Sequence, residues 1–223
     1  MRRRVVLDLA QRVGPAAAVA EARRLGIAFA APADARMAAG DARSWGAFTL
    51  GVVDTTPLEL ASAYATLAAD GEYCAPLPVQ SITDARQVAV PVPHECRQAI
   101  PPEMARAATD AARCPVGQQS AYHRCDGGTA AQAGRIFRGR PLAGKTGSTE
   151  DNTTETFVGF TPTVAAAGIA NDPDDPSDHV GSAVESRVVI AVARTLRAAT
   201  GNGGYPDFAP PSAAIAFGTG IRP

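Results

Sequence analysis

The chain has 223 residues, 46% of them hydrophobic and 19% charged, a length that buries one substantial core and so predicts one domain or a large part of one. A formal net charge of -1, with arginines scattered except for Met1-Arg2-Arg3-Arg4, leaves no electrostatic footprint for nucleic acid or an anionic membrane surface. No stretch approaches the roughly 20 apolar residues of a membrane span, and Asp8, Gln11 and Arg12 interrupt the N-terminus before an apolar export region can form.

Residues 5–24 read as an Ala-rich helix with apolar positions 6, 9 and 13, broken or restarted at Gly14-Pro15 and ended by Leu25-Gly26-Ile27. Residues 29–44 read as a polar loop, and residues 45–49 as a short segment without a clear period. A helix follows over residues 57–69: Thr56 is a plausible cap, Pro57 suits the first turn, Glu59 completes a capping box, and Gly71 stops it. Residues 79–82 and 87–90 read as the two strands of a surface hairpin, residues 102–113 as a short helix, and Thr129 as the cap of another helix to about Phe137.

The chain then reaches Lys145-Thr146-Gly147-Ser148, an anion-binding set of one ammonium, two hydroxyls and a glycine that allows close backbone approach. Thr156-Phe157-Val158-Gly159-Phe160 is aromatic and β-branched, and Thr161-Pro162 ends it. Together they read as a hairpin with a polar turn over residues 150–154, and residues 164–170 as a third strand. Lys145 is the only lysine against 20 arginines, which suggests a task for a compact point charge or proton carrier that a guanidinium performs badly. Residues 171–178 form an acidic, turn-rich loop; its spacing lacks the terminal Glu of a calcium loop, and a solvated loop is expected. Residues 187–199 read as an amphipathic helix that Ser186 could cap, followed by a Gly/Pro-rich tail.

Cys74, Cys96, Cys114 and Cys125 are an even set in Pro- and Gly-rich surroundings. Pairing 74–96 would close a Pro-rich connection and pairing 114–125 a pinched loop; this is one of three connectivities, and four free thiols is the other possibility. No Cys-x-x-Cys pair or Cys/His cluster has zinc-ligand spacing, so no metal is expected. His94, His123 and His179 lie in loop-like sequence without a Gly-x-Ser-x-Gly elbow, and no Gly-rich strand-turn-helix offers a nucleotide site.

Lys-Thr-Gly is one of the three motifs of the penicillin-recognising acyl-serine enzymes. The longer string from Pro141 to Pro162 resembles the transpeptidase domain of class A (bifunctional) penicillin-binding proteins, of actinobacterial type, where a Lys-Thr-Gly-Thr/Ser strand precedes a Gly-Phe/Tyr-Thr-Pro strand. Gly51-Val52-Val53-Asp54-Thr55-Thr56-Pro57-Leu58-Glu59-Leu60-Ala61 and Gly127-Gly128-Thr129-Ala130 before Gly134-Arg135 resemble the same domain, so the match spreads over most of the chain.

The resemblance implies an α/β (α+β) fold with an antiparallel sheet packed against helices, residues 1–200 being a partial transpeptidase domain and residues 201–223 a C-terminal tail. It implies that Lys145, Thr146, Gly147 and Ser148 bind substrate, Lys145 meeting a terminal carboxylate and the Ser148 backbone N–H forming half of an oxyanion hole. The implied partners are peptidoglycan stem peptides and β-lactams, at the extracytoplasmic face of the membrane in the intact parent, with no cofactor. The family's nucleophile motif, Ser-x-x-Lys, cannot occur here, because Leu142 lies three residues before the only lysine. Its Ser-x-Asn motif is also missing, since none of Asn152, Asn171 and Asn202 has a serine two residues earlier. Both motifs are expected upstream of Met1, which makes the chain by itself a fragment without transpeptidase chemistry. The alternatives are a non-catalytic module that binds cell-wall peptide or a partner, and a non-functional truncated reading frame.

Overall fold

The computed structural model describes residues 2–201 and 203–218; Met1, Asn202, residues 219–223 and the side chains of residues 2–7 lie outside the description. The side chains of the basic run at the N-terminus and the end of the expected tail therefore fall outside the description. Helices α1 (Arg2–Val13) and α2 (Pro15–Arg24) meet at Gly14, whose φ of 84° makes the break that Gly14-Pro15 predicts. Residues 29–44 are not simply a loop: they contain α3 (Pro32–Gly40), with Pro32 in its first turn and an Ala-rich body. Tertiary contacts fix it. Ala38 is buried with Val19, Phe29 and Trp45 in a small N-terminal core, and the Asp34 carboxyl accepts the Asp54 N–H at 2.9 Å. A 3₁₀ turn (Gly46–Leu50) completes this layer.

Helix α4 (Pro57–Ala68) has the expected capping box, with Thr56 Oγ1 accepting the Glu59 N–H at 3.1 Å and Glu59 Oε2 accepting the Thr56 N–H at 2.9 Å. Glu59 also accepts the Ala28 N–H at 3.1 Å, tying the N-terminal layer to this helix. Burial pushes the Glu59 pKa up, but the hydrogen bonds from Thr56, Ala28 and Thr55 outweigh it and hold the carboxyl below its ordinary value. Beyond α4 a short ladder joins β1 (Glu72–Cys74) to β4 (Cys96–Gln98), which have no alternation to announce them. Cys74 and Cys96 face each other in this ladder and form a disulfide; Cys114 and Cys125 form the second. Between them the surface hairpin shrinks to two-residue strands, β2 (Ile82–Thr83) and β3 (Ala89–Val90), because the Asp84 carboxyl takes the N–H groups of Arg86 and Val88 that a longer ladder would need.

Helix α5 (Pro102–Arg113) and helix α6 (Ala131–Phe137) lead to the central antiparallel sheet, order β5 (Ala143–Ser148), β6 (Thr154–Phe160), β7 (Ala165–Asn171). The turn over residues 149–153 uses left-handed Asp151 (φ 63°) and Asn152 (φ 52°), residue types that tolerate that region. Thr161 ends β6 by accepting the Val164 N–H at 3.0 Å through its hydroxyl. Helix α7 (Ala183–Ala199) begins four residues earlier than the amphipathic period suggests, so Ser186 lies inside it and Ser182 stands at the cap position. Val184 packs against the core and extends the helix N-terminally. The acidic loop before α7 folds on itself, Asp172 accepting the N–H groups of Asp174 and Asp175. The fold is thus α+β with an antiparallel sheet packed against helices.

The two faces of the sheet differ. One carries Phe157, Gly159 and Gly168 and receives α7; a Cβ on Gly168 would stand 2.7 Å from Val192 and one on Gly159 2.9 Å from Leu196. Phe137, Leu142, Phe157, Val189 and Leu196 form the centre of this core. The other face carries Phe160 and receives α4, where Tyr64 packs on Phe160 at 5.6 Å. The C-terminal stretch runs back over the same end: Phe208 stacks edge-on with Phe160 at 5.5 Å, and the short α8 (Ala213–Phe217) places Phe217 against Tyr122 at 4.9 Å. No helix among the described residues is long and apolar enough to cross a membrane. Leu196→Ala is expected to lower unfolding stability by about 2–5 kcal/mol, measured by denaturant titration; a loss under about 0.5 kcal/mol, the level of a surface change, would mean that α7 does not hold the sheet.

Candidate active-site strand

Lys145, Thr146, Gly147 and Ser148 all lie on β5, which pairs with β6 alone among the described residues and so has one open edge. The direction of each backbone group follows from the turn. Thr149 donates its N–H to the Thr154 oxygen at 3.1 Å, and alternation along an antiparallel ladder then points the Lys145 and Gly147 N–H groups at β6. The N–H groups of Thr146 and Ser148 therefore face the open edge, as does the Thr146 carbonyl. Lys145 Nζ donates to that carbonyl at 2.7 Å, which places the ammonium beside the edge rather than out in solvent. The start of the edge is already occupied: Gln118 accepts the Leu142 N–H at 3.2 Å and donates to the Arg140 oxygen at 2.5 Å, standing in for a strand. Beyond Leu142 no partner strand among the described residues covers the edge; along it Gly144 and Thr146 are buried, Gly147 is half-buried, and Lys145 and Ser148 are exposed.

Lys145 retains contact with solvent, yet burial by the surrounding protein pulls its pKa below the ordinary lysine value of 10.5, and the nearby Glu185 carboxylate opposes that shift. A lysine so placed is a point charge with weakened proton affinity. Thr146 is turned inward instead; its hydroxyl shares a hydrogen bond with that of Thr129 at 2.8 Å. Thr129 is therefore not the cap of α6, whose cap position is Ala130; its hydroxyl is spent on β5. A Cβ at Gly147 would lie 2.5 Å from Thr156 Oγ1, and that hydroxyl donates to the Gly147 oxygen at 3.1 Å. The Ser148 hydroxyl donates to Glu155, which lies opposite it on β6.

Beside Gly147 and Ser148, on the face away from α7, is a cavity of about 590 Å³ whose walls include Val53, Asp54, Thr55, Leu60, Thr156 and Ile169. The stretch from Gly51 to Ala61 thus does more than start a helix; it faces the strand end. Sequence reasoning missed Glu155, Thr129, Gln118 and Glu185 as members of this region. The Glu155 signal was an acid set in an otherwise apolar returning strand, and the others carried no local signal. The three histidines lie in loops, and among them His179 contacts the Asp151 carbonyl oxygen through Nδ1. Among the described residues no group of three or more His, Cys, Asp or Glu is placed to hold a metal ion.

Residues 4–192 match the family model described as the penicillin binding protein transpeptidase domain. The chain is 35% identical over 114 residues to penicillin-binding protein 1A of Aquifex aeolicus (strain VF5), covering 51% of this chain and 14% of that protein. The structure of penicillin-binding protein PonA1 from Mycobacterium tuberculosis superposes with a TM-score of 0.70 at 25% identity, over 89% of this chain and 52% of that one. The same protein in complex with penicillin V gives a TM-score of 0.68 at 25% identity, over 89% and 53%. The chain therefore spans only part of the length of these relatives. By its family match across most of its length and its ordered Lys-Thr-Gly and Gly-Phe-Thr-Pro strands, the chain belongs to the penicillin-binding protein transpeptidase domain family, and within it resembles the class A members.

Proposed function

We propose that this chain forms the Lys-Thr-Gly wall of a peptidoglycan D,D-transpeptidase site. The observation that carries the reading is the open stretch of β5, with an outward Ser148 N–H and the Lys145 ammonium beside it. An extended stem peptide ending in D-alanyl-D-alanine would lie along this edge as an added strand, its terminal carboxylate near Lys145. The Ser148 N–H would meet the oxygen on which negative charge develops when the scissile carbonyl is attacked. In the intact parent, at the outer face of the cell membrane, a serine would attack that carbonyl and expel the terminal D-alanine. The acyl-enzyme would then pass its acyl group to an amine of a neighbouring strand. A β-lactam would acylate the same serine.

This chain contains no Ser-x-x-Lys pair, so the reading assigns it binding without acylation. Incubation with a labelled penicillin is expected to leave no covalent adduct, and a stoichiometric adduct seen by mass spectrometry would overturn the assignment. Reversible binding of N-acetyl-D-alanyl-D-alanine, followed by NMR titration, is expected to weaken by about tenfold or more in Lys145→Ala, the scale of one charged hydrogen bond; an unchanged affinity would remove Lys145 from the site.

The pH dependence has a definite sign. Carboxylate binding needs the protonated ammonium, and the lowered Lys145 pKa means that protonation is lost below the 10.5 of an ordinary lysine. Affinity is therefore expected to be full near neutral pH and to fall as pH rises, with its midpoint below that value. A flat profile up to the ordinary lysine pKa would contradict the role given to Lys145.

A further inference from the structure

Four arginines from two distant segments meet around Gly201, at the end of the sheet where β5 begins and away from Ser148. Arg138 stands at the C-terminal cap of α6 and Arg140 leads into β5, whereas Arg194 and Arg197 lie in the last two turns of α7. Arg140 Nη1 and Arg197 Nη1 donate to the same Gly201 oxygen, at 2.7 and 2.5 Å, and Arg140 Nη2 also donates to the Gly203 oxygen. Arg138, Arg194 and Arg197 line an open cleft of about 590 Å³ together with Ile136, Ala198 and Gly201.

No carboxylate answers this charge. Residues 127–149 and 186–206, which supply the arginines, contain no Asp or Glu. None of the ion pairs among the described residues includes any of the four. Local structure accounts for part of the cluster. A helix dipole favours a cation in the last turn, Arg140 and Arg197 each meet a carbonyl beyond α7, and Arg140 lies over the Tyr205 ring at 4.7 Å. The dipole amounts to about half a charge, so most of the positive charge has no counterpart. The Arg138 and Arg194 side chains make no hydrogen bond or ion pair among the described residues. Arg138 also takes a left-handed backbone (φ 51°), where Gly or Asn would cost less, so ending the helix does not account for an arginine there.

The cleft suits an anion with several charges. Each guanidinium presents its donors in a planar fork that matches pairs of phosphate oxygens, and the bonds to Gly201 hold Arg140 and Arg197 in place beforehand. Attraction grows with the charge on the ligand, which favours phosphate and pyrophosphate over a single carboxylate. The arginines surround a concavity, so a compact ligand reaches all three lining guanidiniums, whereas a flat membrane surface does not enter it. We propose that the cleft between α6 and α7 is a binding site for a compact phosphate-class anion. Arg138 and Arg194 are its free recognition groups, Arg197 stands with them in the lining, and Arg140 braces Arg197 through their shared carbonyl. The assignment is independent of the role given to β5.

The test is calorimetric titration of the whole chain with sodium pyrophosphate. The proteins are the unaltered chain, Arg138→Ala, Arg194→Ala, the double variant, Arg194→Lys, and Arg187→Ala as a control on α7 outside the cleft. Arg138 and Arg194 are exposed, so their replacement is a surface change that leaves the fold intact. Saturable binding is expected, weakened about tenfold by each cleft substitution and about a hundredfold by both, the scale of one and two charged hydrogen bonds. Arg194→Lys keeps the charge without the fork and is expected to fall between Arg194→Ala and the unaltered chain. Arg187→Ala is expected to stay within about twofold, and acetate to bind at least about tenfold more weakly than pyrophosphate. Equal losses in all variants, Arg187→Ala included, would show a response to net charge alone and overturn the site. Pyrophosphate binding that neither cleft substitution weakens overturns it too, as does a lack of saturable binding. Vesicles of phosphatidylcholine with phosphatidylglycerol supply the remaining arm. Sedimentation with them that needs Arg138 and Arg194, in a chain that ignores pyrophosphate, would assign the cluster to a membrane surface and overturn the proposal.

Discussion

The close seating of α7 on the three-stranded sheet is the constraint on which the rest depends. Gly159 and Gly168 leave no Cβ between the strands and the helix, so Val192 and Leu196 descend onto the sheet surface. That contact fixes which face of each strand is inside. Because the side chains of a strand alternate, a slip of one residue would exchange every inward and outward position. With α7 in place, Phe157 and Thr146 must share the helix face, and Lys145, Gly147 and Phe160 must share the α4 face. The chemistry of the strand is set by a packing decision made on the opposite side of the sheet from Lys145.

The open edge has a different origin. Hairpin geometry points the Thr146 and Ser148 N–H groups outward, and nothing in the hairpin itself limits how much of β5 is free. Gln118 sets that limit. It lies in the segment that the Cys114–Cys125 disulfide closes, and its amide covers the edge at Leu142. The same segment runs on to Thr129, whose hydroxyl holds Thr146 from the α7 side. The site is thus a strand bounded at one end by a side chain acting as a strand and at the other by a turn. Exposed strand edges are ordinarily hazards for aggregation; here a lysine and a short free length guard it.

Electrostatics then separate two residues that look alike in sequence as polar members of a β-hairpin. Lys145 keeps partial solvent access, and its burial weakens its proton affinity. Glu155 is fully enclosed, and Ser148 is its one hydrogen-bond donor among the described residues.

The sequence by itself determined the hairpin, the third strand, the α4 capping box, the break at Gly14-Pro15 and the family, because each rests on local chemistry: turn residues, caps, β-branched runs and the short motif Lys145-Thr146-Gly147. It misjudged residues 29–44, the start of α7 and the role of Thr129, because those depended on partners distant in the chain. Ala38 is helical through contact with Phe29 and Trp45, Val184 through contact with the core, and Thr129 faces Thr146 across 17 positions. Only the tertiary structure decided that β5 is an edge, that its free length ends at Gln118, and that Glu155 lies buried behind Ser148. Those are properties of what surrounds a residue, and hydrogen bonds and burial between distant segments leave no periodic trace in the residues that make them.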